Sequence, residues 1–539
     1  MPGLLYLVWA AFLVRGFFYA GALPLWEGFD EYAHFAYVEQ IVRGEQFLVD
    51  RTQTVPADVA LSLTVAPLPW ELRKSAGSAR TLEAFWKLPP PERAAQLEQL
   101  RSLTPQSALA QKGGEALIYG ALQPPLYYWL AALPYAVIRE RPLLESVLVL
   151  RGFSVVIASL LVPLVFFAAR RAFESGAAIG IAAVVALLPE LYFDIARVGN
   201  ECLGVVLFTA LFVLCSGRDR LDLPWRQVIA IGLVLGLGLL TKAYFLTALP
   251  PLLMCTAPWN SGRQARRVAV SFAIAFALSG WWFVLNKVRT GTWTGLNEAV
   301  MVKGLTPLDT LHGIAHVDWR TAIDSIVLSH IWFGGWSSLQ ARSWVYHIYM
   351  GFALAGIAGV ILGIKRLRAV AIPAVYFYLW FWAGQLYNVL LLFLSKGAST
   401  SMGWYLYAVV GAEVILLTQG WSLWVGAKFT KWVAPALAFM AGLLDLYTLH
   451  VVALPYYAGL IVHRDDGSLA NLKLVDLRAL GWRDAVERLC ATKPEWLSSF
   501  SVTAVWAAFL LATLGLMVIP IWATSIPSIF HRREDVLAK

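Results

Sequence analysis

The sequence predicts an all-α polytopic membrane protein, a bundle of about twelve transmembrane helices whose extracytoplasmic loops carry interfacial helices. Three observations predict it. Of 539 residues, 59% are apolar and only 14% charged, against about 25% charged in soluble domains, and the mean hydropathy is +0.64. The apolar residues come in runs of about twenty, the length an α-helix needs to cross ~30 Å of hydrocarbon. Lys and Arg cluster between those runs. Such a composition excludes a soluble enzyme, a disordered chain and a small disulfide scaffold. The excess of 43 Lys and Arg over 34 Asp and Glu, a net charge of +9, is what basic cytoplasmic loops produce and calls for no nucleic acid. Cys202, Cys215 and Cys255 fall inside apolar runs and only Cys490 in a polar segment, so no pair is placed for a disulfide.

Single crossings are predicted near 4–24, 149–169, 176–196, 201–216, 267–288, 344–364, 369–394, 402–424, 432–454 and 500–524. The first run lacks a small-residue cleavage site behind it and reads as a retained helix. Residues 227–257 form a longer apolar run broken at Thr241-Lys242, with Arg218, Arg220 and Arg226 before it and Arg263, Arg266 and Arg267 after it. One crossing would separate those clusters, whereas two short helices meeting at Thr241-Lys242 keep both in the cytoplasm and leave Lys242 facing an intramembrane cavity. The stretch 124–138 is short and aromatic, and a crossing there would turn Arg170-Arg171 and Lys365-Arg366-Arg368 outward. It is therefore laid on the membrane surface. Twelve crossings put both termini in the cytoplasm, with His531-Arg532-Arg533 on that side, and leave extracytoplasmic loops at 25–148, 289–343 and 455–499.

Chemistry concentrates behind the first helix, in Trp26-Glu27-Gly28-Phe29-Asp30-Glu31-Tyr32-Ala33-His34-Phe35-Ala36-Tyr37. From Asp30 this reads as an amphipathic helix with Asp30, His34 and Tyr37 near one face. Acids at a helix start complement its dipole in many proteins. At the rim of a membrane cavity, a partly shielded carboxylate is also an acceptor for a hydroxyl proton.

Here the sequence resembles the GT-C superfamily of membrane glycosyltransferases, which includes protein O-mannosyltransferases and aminoarabinose transferases and uses polyprenyl-phosphate-linked sugars. The Asp-Glu-x-x-His-Phe-Ala-Tyr pattern looks most like a bacterial branch. Further signatures follow in the family's order: Gln123-Pro124-Pro125-Leu126-Tyr127-Tyr128, Asn200-Glu201, Leu240-Thr241-Lys242, and Trp281-Trp282-Phe283 leading to Asn286, Gly291 and Gly295. Phe333-Gly334-Gly335-Trp336 is similar to that branch too. The resemblance covers residues 1–345, expected to form a GT-C-like module, with 346–539 supplying C-terminal helices and the late loop. It implies Asp30 as the base for the acceptor hydroxyl and Glu31 as a residue orienting the acceptor or the loop. Glu201 would be the second acidic position, and Lys242 a cation for the departing lipid phosphate. His34, Gln123, Tyr127, Arg197, Asn200 and Trp282 are the expected substrate contacts.

The chain also departs from the family. Leu285 stands where an Arg often precedes the Asn, and Trp404-Tyr405 replaces an Arg-Tyr pair. Lys287 and Arg289 are the nearby substitutes for those phosphate cations. Arg15 lies inside the first helix, where a lone charge costs roughly 2.5–3.5 kcal/mol on insertion scales. It must pair, with Asp194 or Glu190, or bind a lipid phosphate. His312 and His316, at i and i+4 with Asp318 behind them, are weak candidates for a divalent metal because the sequence fixes no third ligand. No cofactor is otherwise implied.

The leading reading is an inverting transferase. It takes a sugar from a polyprenyl-phosphate-linked donor to an acceptor hydroxyl, of a glycan, lipid or protein, on the outer face of a bacterial cytoplasmic membrane. No Gly-rich nucleotide-phosphate loop is present. Two other readings remain open: a catalytically inactive assembly subunit, and a lipid or sugar transporter or flippase whose path Arg15 and Lys242 line.

Overall fold

A computed structural model describes residues 2–74, 81–108, 116–216, 223–367 and 370–525. Among these residues the chain is helical, with three isolated β-bridges and no strand. It runs through α1 (Pro2–Ala22), the motif helix α2 (Glu31–Arg43), and α3 (Leu126–Ile138). There follow α4 (Leu143–Ala169), the bent pair α5 (Ser175–Val185) and α6 (Pro189–Ile195), α7 (Glu201–Cys215), α8 (Trp225–Leu239) and α9 (Gly262–Thr290). After α10 (Trp319–Ile331) come α11 (Ser343–Leu362), α12 (Ala371–Lys396), α13 (Gly403–Val425), α14 (Thr430–Tyr457) and α15 (Ser499–Ser525).

Eight of these, α1, α4, α9 and α11 to α15, are long and apolar enough to cross a membrane. The α5–α6 pair, bent by 62°, is a ninth. The protein is thus an all-α, membrane-spanning bundle, but twelve full-length crossings are not present among the described residues. The shortfall has a local cause. Both α7 and α8 have 15 residues, about 22 Å of helix against ~30 Å of hydrocarbon. The buried polar segment around Arg197 and Asn200 precedes α7, which begins at Glu201 as expected, and α8 ends, as expected of a short helix pair, where the chain turns back at Leu240–Lys242. A 3-10 turn, Ala243–Ala248, and the short helix Leu249–Thr256 complete the return. The expected basic flanks at Arg218, Arg220, Arg368 and His531 to Arg533 lie outside the described residues.

Arg15 pairs with neither Asp194 nor Glu190. Its Nη2 lies 2.7 Å from Asp445 of α14, both side chains being fully buried, and it also donates to Thr513 of α15 and to the Ala186 carbonyl. Tyr19 donates to the same Asp445 at 2.6 Å. The pair ties α1 to the C-terminal helices and leaves the guanidinium no free face for a lipid phosphate. The reason is packing: α1 lies against α15, and α14 lies against α15 beside it.

Several long connecting segments meet one another, those around Glu27, Glu83, Phe333 to Ser337 and His463 among them, and their cluster is called the loop face below. There Glu27 accepts hydrogen bonds from Ser337 N–H (2.9 Å) and Oγ–H (2.7 Å). Glu190 accepts from Phe333 N–H and Gly334 N–H, both at 2.9 Å. These two carboxyl groups seat the Phe333-Gly334-Gly335-Trp336 segment on the loop that precedes α2. Both of its glycines have positive φ, 69° and 73°, and a side chain on Gly335 would collide with Glu27.

Candidate active site

Asp30 is the N-cap of α2, in the left-handed region at φ 54°, ψ 18°, and its side chain makes no cap hydrogen bond. The conformation is held from outside. Arg197 donates to the carbonyl of Phe29, and Trp404 stacks on the Phe29 ring, centroids 3.6 Å apart. The half-buried carboxylate makes no hydrogen bond or ion pair among the described residues. Its burial raises its pKa above the ordinary carboxylate value. Arg197, Lys242 and Lys396 pull it down, while Glu201 pushes it up.

Beside Asp30 lies a buried ionic group built from the start of α7. Arg197 Nη2 reaches Asp194 at 3.0 Å and Glu201 at 2.9 Å, and Lys242 pairs with the other Glu201 oxygen. The Lys242 ammonium also sits 5.6 Å over the ring of Tyr405. The turn that carries Lys242 is fixed by two predicted motifs. Asn200 Nδ2 donates to Thr241 O at 2.9 Å, and Leu126 N–H, next to Pro124-Pro125, donates to Leu240 O at 3.0 Å. Tyr127 accepts from Gly199 N–H and shares a hydrogen bond with Ser154. Gln123 caps a 3-10 turn through its own N–H. Asn200 and Tyr127 thus act as scaffold for Glu201 and Lys242.

The second motif acid has a different place. Both oxygens of Glu31 bind Arg151 of α4, at 2.7 and 2.6 Å, and Oε1 also accepts from Val198 N–H at 3.0 Å. Glu31 is fully buried. It orients the loop, one of its two expected roles, and has no free oxygen for an acceptor. Glu27 is buried deeply enough that its pKa rises to about 8, despite the two bonds from Ser337, so it is neutral at pH 7. His34 is buried, its pKa lowered to about 3 by that burial, and its Nδ1 lies 2.7 Å from the Tyr128 hydroxyl. Tyr37 stacks on the same Tyr128, centroids 4.0 Å apart, so two of the three residues expected on one face of α2, His34 and Tyr37, share a partner.

The other candidates are not brought to Asp30. Trp282 is buried in α9, Lys287 in the last turn of that helix donates to Gly291 O at 2.8 Å, and Arg289 in the same turn is exposed. His312 and His316 stack on each other, centroids 3.9 Å apart, while the Asp318 carboxylate is spent capping α10 through Thr321. Among the described residues no group of three or more His, Cys, Asp or Glu comes together to hold a metal. Sequence reasoning missed Arg151, Tyr128, Lys396, and Tyr405 as a wall beside Lys242. The rule applied to Arg15, that a charge within an apolar run needs a partner, points equally to Arg151.

The sequence profile of the dolichyl-phosphate-mannose-protein mannosyltransferase family matches residues 122–286. That stretch holds Gln123, Tyr127, Arg197, Asn200, Glu201, Lys242 and Trp282, and it accords with the GT-C resemblance. Among solved structures, the chain is similar to ArnT from Cupriavidus metallidurans bound to undecaprenyl phosphate. The identity is 13% and the TM-score 0.46, over 97% of this chain and 78% of ArnT. It is similar also to the Archaeoglobus fulgidus oligosaccharyltransferase tethered with an acceptor peptide, at 12% identity and a TM-score of 0.36, over 95% of this chain and 55% of that one. No curated protein sequence matches the chain.

Proposed function

We propose that the chain is an inverting glycosyltransferase acting on a polyprenyl-phosphate-linked sugar at the loop face, which would be the outer face of a bacterial cytoplasmic membrane. The observation that carries this reading is the unpartnered Asp30 carboxylate, held in a strained backbone conformation beside the Glu201–Lys242 pair. Asp30 takes the proton from an acceptor hydroxyl as that oxygen bonds to the anomeric carbon. The bond from that carbon to the phosphate oxygen breaks on the opposite side, and the polyprenyl phosphate leaves as an anion. Lys242 supplies the cation for that anion, and Arg197, bound to the same Glu201, fixes the carboxylate it must leave. The profile match over 122–286 supports the reading. So does ArnT, similar to this chain, whose structure contains undecaprenyl phosphate.

The test uses the full chain in nanodiscs with labelled polyprenyl-phosphate sugars and hydroxyl acceptors, measuring release of polyprenyl phosphate. Asp30→Asn should lower transfer about 10²–10⁴-fold and leave polyprenyl-phosphate binding and folding near wild type, since no protein group depends on that carboxylate. The wild-type rate should fall as pH drops through the Asp30 pKa, at a pH above the ordinary carboxylate value of about 4. Transfer by the Asn variant at wild-type rate would remove Asp30 from the mechanism. Binding without turnover by the wild type would favour the inactive-subunit reading.

A further inference from the structure

Trp404 and Tyr405, where the family often has an Arg-Tyr pair, open α13 as a 3-10 turn, Gly403–Val409. One ring stacks on Phe29 and the other lies against Lys242, so this turn forms a wall of the site. What holds the turn is the last part of α10. Ser329 Oγ accepts from Gly403 N–H at 2.7 Å, Tyr407 donates to the His330 carbonyl at 2.7 Å, and a side chain at Gly403 would collide with the α10 backbone.

The His330 ring lies between two acceptors. Its Nδ1 is 3.1 Å from the carbonyl of Gly403, and its Nε2 is 2.9 and 3.0 Å from the two oxygens of Glu413. Neither a carbonyl nor a carboxylate donates, so each nitrogen must carry a proton to make its bond, and the ring that satisfies both is the imidazolium. We propose that His330 is a positioning residue for the transfer site, a doubly protonated clamp tying the Trp404-Tyr405 turn to Glu413. The proposal rests on the transferase reading only for its effect on rate. Around the ring stand Glu413 and Tyr407 of α13, the latter with its ring centroid 4.7 Å away. Burial alone would lower the His330 pKa, but Glu413 and the Gly403 carbonyl outweigh it and the pKa is raised. The clamp is therefore whole below that raised pKa and loses the Gly403 bond as pH rises through it.

The experiment uses the full-length protein in nanodiscs. The His330 imidazole is titrated by NMR, assigned against His330→Gln, together with the indole signal of Trp404, assigned against Trp404→Phe. The ring should be doubly protonated at pH 7, and the Trp404 signal should move with its titration. Glu413→Gln, which keeps the shape but not the charge, should lower that pKa and move the alkaline limb of kcat down by the same interval, with KM for the donor little changed. His330→Gln should abolish that limb and lower kcat about 10–100-fold, as misplacement of positioning groups does. A ring neutral at pH 7, a Trp404 signal indifferent to it, or an alkaline limb unmoved by Glu413→Gln would overturn the clamp. Absence of transfer in the wild type would count against the transferase reading alone, and the ring titration would still decide the clamp.

Discussion

Two adjacent acids at the start of α2 should fail in opposite ways. Glu31→Ala removes one member of a buried ion pair whose side chains are 0% and 4% exposed. Arg151 then keeps its bonds to the Ala20, Leu23 and Pro24 carbonyls, at 3.1, 2.7 and 2.7 Å, but loses both short bonds to the carboxylate. Stripping one partner from a buried pair costs about 3–5 kcal/mol, and here Val198 N–H also loses its acceptor. At 1.4 kcal/mol per decade this is roughly a 10²–10⁴-fold shift in the unfolding equilibrium. The chain carries its own reporters, since Cys202, Cys215 and Cys255 are buried thiols that react with a thiol dye only when the bundle opens. Dye reactivity during a thermal ramp should show Glu31→Ala opening well below wild type, and Glu31→Leu paired with Arg151→Leu should recover much of the loss, because replacing both partners leaves no unpaired charge. Asp30→Asn should open no earlier than wild type. The reasoning is refuted if Glu31→Ala opens with wild type yet has lost transfer, which would place Glu31 on the substrate instead of on Arg151.

Two other outcomes follow from the ion pairs. Arg15→Leu should destabilise the bundle by about 3–5 kcal/mol by leaving Asp445 unpaired among apolar helices, and Asp445→Leu added to it should restore stability, read by the same thiol assay. Lys242→Met should leave folding near wild type, because Glu201 keeps Arg197 at 2.9 Å, while polyprenyl-phosphate affinity falls roughly 10–150-fold, the worth of a charge-assisted hydrogen bond of about 1.5–3 kcal/mol. Strong destabilisation with unchanged lipid affinity would show that Lys242 serves only Glu201.

What the sequence made legible is local. The apolar runs, the break at Thr241-Lys242 and the acids behind the first helix are each confined to a few turns of chain, and each has a periodicity or a charge pattern to read. Partners across the bundle leave no such mark. Arg15 finds Asp445, 430 residues on, because helix packing and not spacing selects it. Arg151 sits inside a run that reads as plain span, so the true role of Glu31 was invisible without it. Nine of the twelve expected crossings are long enough to span; the other three, the run at 201–216 and the two short helices meeting at Thr241-Lys242, are as short in the structure as the sequence made them.

On the proposed transferase reading, the acid to take the acceptor proton follows from what the others are already doing. Glu27 receives two hydrogen bonds from Ser337 and is neutral at pH 7. Glu190 seats the Phe333-Gly334 backbone, Glu31 neutralises Arg151, and Asp194 and Glu201 share Arg197 with Lys242 added. Those last four form a group of two acids and two bases, balanced without Asp30. Asp194 and Glu201 are already engaged by cations, whereas a carboxylate lying outside such a group, desolvated and unbonded, gains from taking a proton. Set against these five acids, Asp30 meets that condition. The strained backbone that keeps it there is fixed by Arg197 on Phe29 O and by Trp404 on the Phe29 ring. The ionic group thus serves the base by holding its position while leaving its carboxylate free of a cation.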